Sequence, residues 1–144
     1  MSKEDLSTDL LVNKLLESDN IDAFITQHKD NLKSLDFCHY LYLLAEHRSL
    51  KISEVLKRSQ LSESYGYQLF NGHRLPSRDK VLQLIFGLGL DIIEANKLLK
   101  LAGKSELYVR DQRDAIILFA LNKKWSLIDT ETLLIERKHD CIVK

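Results

Sequence analysis

Proline occurs once in the 144 residues, at Pro76, and glycine five times. So few chain breakers leave little room for the tight turns that separate short strands, and no Asn-Gly or Asp-Gly pair lies between two alternating segments. A hairpin-rich β fold is excluded on this ground, and an all-helical chain is expected. Cysteine is almost as scarce. Cys38 and Cys141 are far apart and have no spaced Cys or His partners, so neither a disulfide framework nor a zinc site is expected, and both should be buried thiols. Long apolar runs are missing too. No stretch approaches the roughly 18 consecutive apolar residues of a membrane span, and the opening "MSKEDLSTDL" is acidic rather than apolar. A signal peptide and an anchor are therefore not expected, and the protein is placed in the cytoplasm with no membrane partner. Net charge is the last absence. Twenty-one basic residues balance twenty-one acidic ones, which removes bulk positive charge as a means of holding nucleic acid.

What is present is helical patterning. Hydrophobic residues make up 44% of the chain, enough for one ordinary core or for a small domain with helical additions. Leu10, Leu11, Leu15 and Leu16 form one stripe, Leu41, Leu44 and Ala45 a second, and Val81, Leu84, Ile85 and Leu88 a third. Spacing of three and four residues marks each as a helix face, and the three are expected to meet in a shared core. Helices are predicted over 7–18 and 21–28, over 35–47, 52–59, 63–71, 78–88 and 92–102, and over 112–122 and 129–137, with a short terminal tail that should fray. Gly72, Gly89 and Gly103 fall where helices should end, and Ser77 after Pro76 is placed to cap a helix start. Three sections follow. Residues 1–34 form an acidic helical extension with four Lys against seven Asp or Glu, residues 35–103 a five-helix domain, and residues 104–144 a C-terminal helical extension.

The segment "LSESYGYQLFNGHRLPSRDK", residues 61–80, combines a short amphipathic helix with a basic loop. Leu61, Tyr65 and Leu69 should face inward, leaving Ser62, Glu63, Tyr67, Gln68 and Asn71 outside. Hydroxyl, phenol and amide groups on one helix face can hydrogen-bond to base edges or phosphates. Gly66 within the helix costs roughly 1 kcal/mol against Ala, which is tolerated where a neighbouring helix or a phosphate backbone comes close. From Lys57 to Lys80 there are five basic residues (Lys57, Arg58, Arg74, Arg78, Lys80) against Glu63 and Asp79, a local excess of three in a neutral chain. Phosphate contact requires such a patch, not a basic whole.

The order of elements over 35–103, and above all "YGYQLFNGHRLPSRDKVLQLIFGLGLD", resembles the lambda-repressor-like (XRE) helix-turn-helix family. There the recognition helix ends in an apolar pair followed by Asn-Gly or Glu-Gly, here Leu69, Phe70, Asn71 and Gly72. A basic loop with proline then leads to a helix ending in a Leu-Gly-Leu turn, here Leu88, Gly89 and Leu90. The resemblance implies a lambda-repressor-like five-helix domain with short helical N- and C-terminal extensions, and a transcriptional regulator acting on double-stranded DNA as a homodimer. It places Ser64, Tyr67, Gln68 and Asn71 at base edges or nearby phosphates, and Lys57, Arg74, Arg78 and Lys80 on the backbone. This chain departs from the pattern at Ile52, where the family often has Gln, and at Leu56, where it has a small residue. The bulk of Leu56 should spread or tilt the two helices. The alternative is a module that keeps the fold, has given up the groove and binds a protein partner.

Two further patterns complete the sequence. "SLKISEVL" at 49–56 and "SLIDTETL" at 126–133 match at Ser, Leu, Glu and Leu, as a degenerate second copy of the motif or a chance likeness of amphipathic pairs would. "RDQRD" at 110–114 reads as a charged helix start with local ion pairs. Trp125 is expected to cover the end of the core. The five histidines form no HExxH pattern, and there is no glycine-rich phosphate loop or nucleophile elbow, so neither catalysis nor a cofactor or metal is expected.

Overall fold

A computed structural model describes residues 7–27 and 36–144. Every regular element among them is an α-helix. The expected end of the second helix at His28 and the start of the third at Leu35 lie outside the described residues. The chain divides into two compact units, Met1–Asp36 and Phe37–Lys144.

The first unit holds α1 (Thr8–Glu17) and α2 (Ile21–Gln27), which pack on each other. Ser7 caps α1 by accepting the Leu10 N–H, and Asn20 accepts from Asp22 and Ala23 at the start of α2. Of its described apolar side chains only Phe24 is buried, while Leu16 is 76% and Ile21 58% exposed. Leu10, Leu15 and Leu16 of the stripe are exposed, and Leu11 is half-buried.

The second unit contains α3 (Phe37–His47), α4 (Ile52–Arg58), α5 (Glu63–Phe70), α6 (Arg78–Leu88), α7 (Ile92–Leu101), α8 (Gln112–Asn122) and α9 (Leu127–Glu136). Helix α6 is central. Val81, Leu82, Leu84 and Ile85 are fully buried, with α4, α7 and α9 packed around them. Helix α3 rests on α5 and α7, and α8 on α7 and α9. Leu41 from α3, Val55 from α4, Leu69 from α5, Leu98 from α7, Ile117 from α8 and Leu134 from α9 share a single core. Residues 104–144 thus belong to the same packed body as 37–103.

One turn recurs at four joints of this unit. A left-handed residue is followed by an apolar residue and then by the cap of the next helix: Ser49–Leu50–Lys51, Gln60–Leu61–Ser62, Gly89–Leu90–Asp91 and Lys124–Trp125–Ser126. Each apolar residue returns its N–H to the preceding helix, Leu50 to Ala45, Leu61 to Leu56, Leu90 to Ile85 and Trp125 to Ala120, the pattern of a Schellman ending. The joints at 49–51 and 124–126 are equivalent, but the sequence likeness of 49–56 and 126–133 does not follow them. The structural register differs from the sequence match by two residues, because Ser49 corresponds to the left-handed Lys124 and not to the capping Ser126.

The terminal tail does not fray. Glu131 accepts the Ile142 and Val143 N–H groups at 2.6 and 3.1 Å, Arg113 donates to the Asp140 and Cys141 carbonyls, and Ile142 is 1% exposed. Lys144 closes on Asp79 at 2.8 Å. Neither cysteine is fully buried; Cys38 and Cys141 are both half-buried.

Candidate nucleic-acid interface

Helices α4 and α5 are two short helices joined by the Gln60–Leu61–Ser62 turn. Ser62 accepts the Tyr65 N–H and starts α5, so its hydroxyl is committed to the cap. Glu63 follows in the first turn, where a carboxylate faces the positive end of the helix dipole, an arrangement worth about 0.3–1 kcal/mol. Glu63 thus has a local reason for its place at the front of α5. Leu69 and Phe70 are buried, and Phe70 meets Tyr42 of α3 edge to face with ring centroids 5.2 Å apart.

The crossing of α4 and α5 shows why Gly66 is required. A Cβ at Gly66 would overlap the Leu56 side chain, which is fully buried. The bulk of Leu56 is taken up by the absence of a side chain on its neighbour: large on α4, nothing on α5. A second interlock holds the turn to α6, where a Cβ on Gly87 would overlap Ser59. Ile52, at the start of α4, is half-buried against the core.

The outward face of α5 carries Ser64, Tyr67, Gln68 and Asn71, all exposed and spaced at i, i+3, i+4 and i+7. They form one polar stripe. Lys57 is exposed at the end of α4, and Arg74 and Lys80 follow α5. Among the described residues none of these three forms an ion pair. Arg74 and Lys80 converge on one aromatic ring: the Arg74 guanidinium lies 5.4 Å and the Lys80 ammonium 5.9 Å from the centroid of Tyr65. Cation–π contact of this kind aligns a flexible cation without neutralising it. Burial raises the Tyr65 pKa, opposed by the charge of Arg74, so the phenol stays neutral at physiological pH.

No protein-family model, curated protein or solved structure matches this chain.

Arg78 stands apart from the other cations. Its guanidinium makes a two-pronged ion pair with Asp114, at 2.8 Å through each nitrogen, and donates to the Ser105 and Glu106 carbonyls. Four donor contacts within the protein leave it fixing the start of α6 to the 105–114 segment. Asp114 is 5% exposed and also accepts the Tyr108 N–H at 2.9 Å. Burial pushes its carboxyl up, but the Arg78 hydrogen bonds, the Tyr108 N–H and the charges of Arg78 and Arg113 outweigh it and hold the pKa below the ordinary carboxylate value. Asp79 behaves alike: burial is outweighed by Lys144 and Arg113. The charges of "RDQRD" therefore pair across elements, Asp114 with Arg78 and Arg113 with Asp79, and not locally along α8.

This pairing clarifies the local charge. Arg78 is balanced by Asp114, and Asp79 by Arg113 and Lys144, which leaves Lys57, Arg58, Arg74 and Lys80 against Glu63, four cations against one acid. The excess of three survives the internal ion pairs. Gln83, which the sequence did not bring forward, also supports this region: it is fully buried and donates to the Ser59 carbonyl at 2.9 Å and to that of Gln60 at 3.4 Å. Its only signal is an amide in the apolar run "VLQLIFGLG".

Proposed function

We propose that this protein is a cytoplasmic DNA-binding transcriptional regulator, with a lambda-repressor-like helix-turn-helix built on α4 and α5 and a homodimer as its working form. The supporting observation is the exposed Ser64–Tyr67–Gln68–Asn71 stripe on the helix whose Tyr65 holds Arg74 and Lys80; these two cations, and Lys57 at the end of α4, form no ion pair among the described residues. In this reading α5 enters the major groove. Gln68 and Asn71 offer amides suited to adenine, Tyr67 and Ser64 offer hydroxyls, and the three cations hold phosphates on either side. Arg78 leaves the phosphate-binding set because its donors are spent on Asp114 and two carbonyls. A homodimer follows from size, since one short recognition helix buries too little surface for specific affinity and two half-sites correct that.

A protein partner is the second reading. Leu75, 72% exposed, and Tyr67, 39% exposed, place apolar surface beside the same helix. Replacing Arg74 and Lys80 together by Glu separates the two. DNA binding predicts that mobility shifts at micromolar protein and about 50 mM salt disappear in the variant while its unfolding midpoint holds. Full cellular activity in that variant would favour the protein partner.

A further inference from the structure

Gln83 is an expensive residue for its place. It sits fully buried on the central helix among Leu82, Leu84 and Ile85, and its Oε1 has no hydrogen-bond partner; neither has the buried Ser59 hydroxyl across from it. A leucine or methionine at 83 would fill the same space without an unmatched acceptor, but it would take the side-chain donor away from the Ser59 and Gln60 carbonyls. What the amide does is directional. Its Nε2 donates to two successive carbonyls, Ser59 and Gln60, in the turn between α4 and α5. Gln60 is held left-handed at φ 56°, a conformation costly without glycine. Ser59 is wedged against Gly87 one helical turn further along α6. The joint that aims α5 is thereby pinned to α6 at 83 and 87, and the first turn of the same helix carries Lys80 to Tyr65 of α5.

From this we infer that Gln83 is a positioning residue for base reading: it fixes the angle at which α5 presents Tyr67, Gln68 and Asn71, while Lys57, Arg74 and Lys80 grip phosphates independently of it. The inference rests on the DNA-binding reading. It gives a separable consequence. Without the amide, α5 is released to shift on its Gly66–Leu56 contact, base contacts lose register, and the sequence-independent grip remains.

The test compares Gln83→Met, close in shape but without donors, with the unaltered protein. Each is titrated against the duplex selected by the unaltered protein and against a scrambled duplex at matched salt, and the α5 amide resonances are recorded without DNA. Expected are displaced α5 resonances, scrambled-duplex affinity and salt slope unchanged within about twofold, and a preference for the selected duplex reduced by about tenfold, the worth of one good base contact. Undiminished preference, or equal loss on both duplexes, overturns the inference. If the unaltered protein binds neither duplex, the DNA reading itself falls and the base-reading role with it, whereas displaced α5 resonances would still report the positioning. Should Gln83→Met not fold, the Gln83 carboxamide of the unaltered protein decides: a slowly exchanging pair with contacts to the Ser59 and Gln60 backbone supports the role, and a freely averaging carboxamide overturns it.

Discussion

Asp114 accepts two hydrogen bonds from Arg78 and one from the Tyr108 N–H, and it lies within the first turn of α8, where Asp111 caps its own N–H. Removing its charge strands the Arg78 guanidinium in a partly buried place. Asp114→Asn should lower stability by about 2–3 kcal/mol, under the full cost of breaking a buried pair because the Arg78 side chain is 24% exposed. Chemical denaturation measures this. The same residue sets an acid dependence. Asp114 and Asp79 both have folded pKa values below their unfolded ones, so their contribution is present above the unfolded value of about 4 and is lost as pH falls through the folded values. The unaltered protein should lose stability below about pH 4 more steeply than Asp114→Asn does, in melts taken across that range. Gly66 makes a second prediction at this scale. Gly66→Ala gains helix propensity yet drives a Cβ into Leu56, so it should destabilise by about 1–3 kcal/mol. Leu56→Ala alone should cost about 2–5 kcal/mol through its cavity. Combined, the two should cost clearly less than their sum, and an additive double-mutant cycle would contradict the interlock.

At the scale of elements, the tail is a working part. Deleting residues 141–144 removes the buried Ile142, the two N–H donors to Glu131 and the Lys144–Asp79 pair, so the truncated chain should melt well below the full one, with α8 and α9 losing hydrogen-exchange protection first. The helices were legible in the sequence because their ends carry local chemistry. Ser7, Ser62, Ser77 and Asp111 cap starts, and Gly72, Gly89 and Gly103 supply left-handed ends, whereas the cap at Ser126 was missed and α9 starts at Leu127, two residues before the expected 129. Polar stripe and local basic excess were legible in the same way, since period and charge are properties of a segment. Long-range pairing was not. Arg78 looked like a phosphate contact because its partner is 36 residues away, and the tail looked loose because Glu131 is 11 residues before Ile142. The left-handed Ser49, Gln60 and Lys124 gave no glycine signal, and only the shared joint reveals them.

For the whole molecule, zero net charge still leaves room for a local excess of cations. Within the second unit internal ion pairs consume Arg78, Arg113 and Lys144, and the cations beside α5 are left over. Among the described residues no helix is long and apolar enough to cross a membrane. If the left-over cations grip phosphates, affinity for a non-specific duplex should fall steeply with salt, with a log–log slope near −3 for each protomer when Lys57, Arg74 and Lys80 each displace about one counterion, and Arg74→Ala should reduce that slope by about one. In the proposed function α5 reads base sequence. Selection of bound duplexes from a random pool, using the full chain at near-physiological salt, tests it directly. Enrichment of two inverted half-sites with centres about 10 base pairs apart, or a multiple of that, is the predicted result. A pool that stays random after repeated rounds, or that enriches equally with Gln68→Ala/Asn71→Ala, would contradict it.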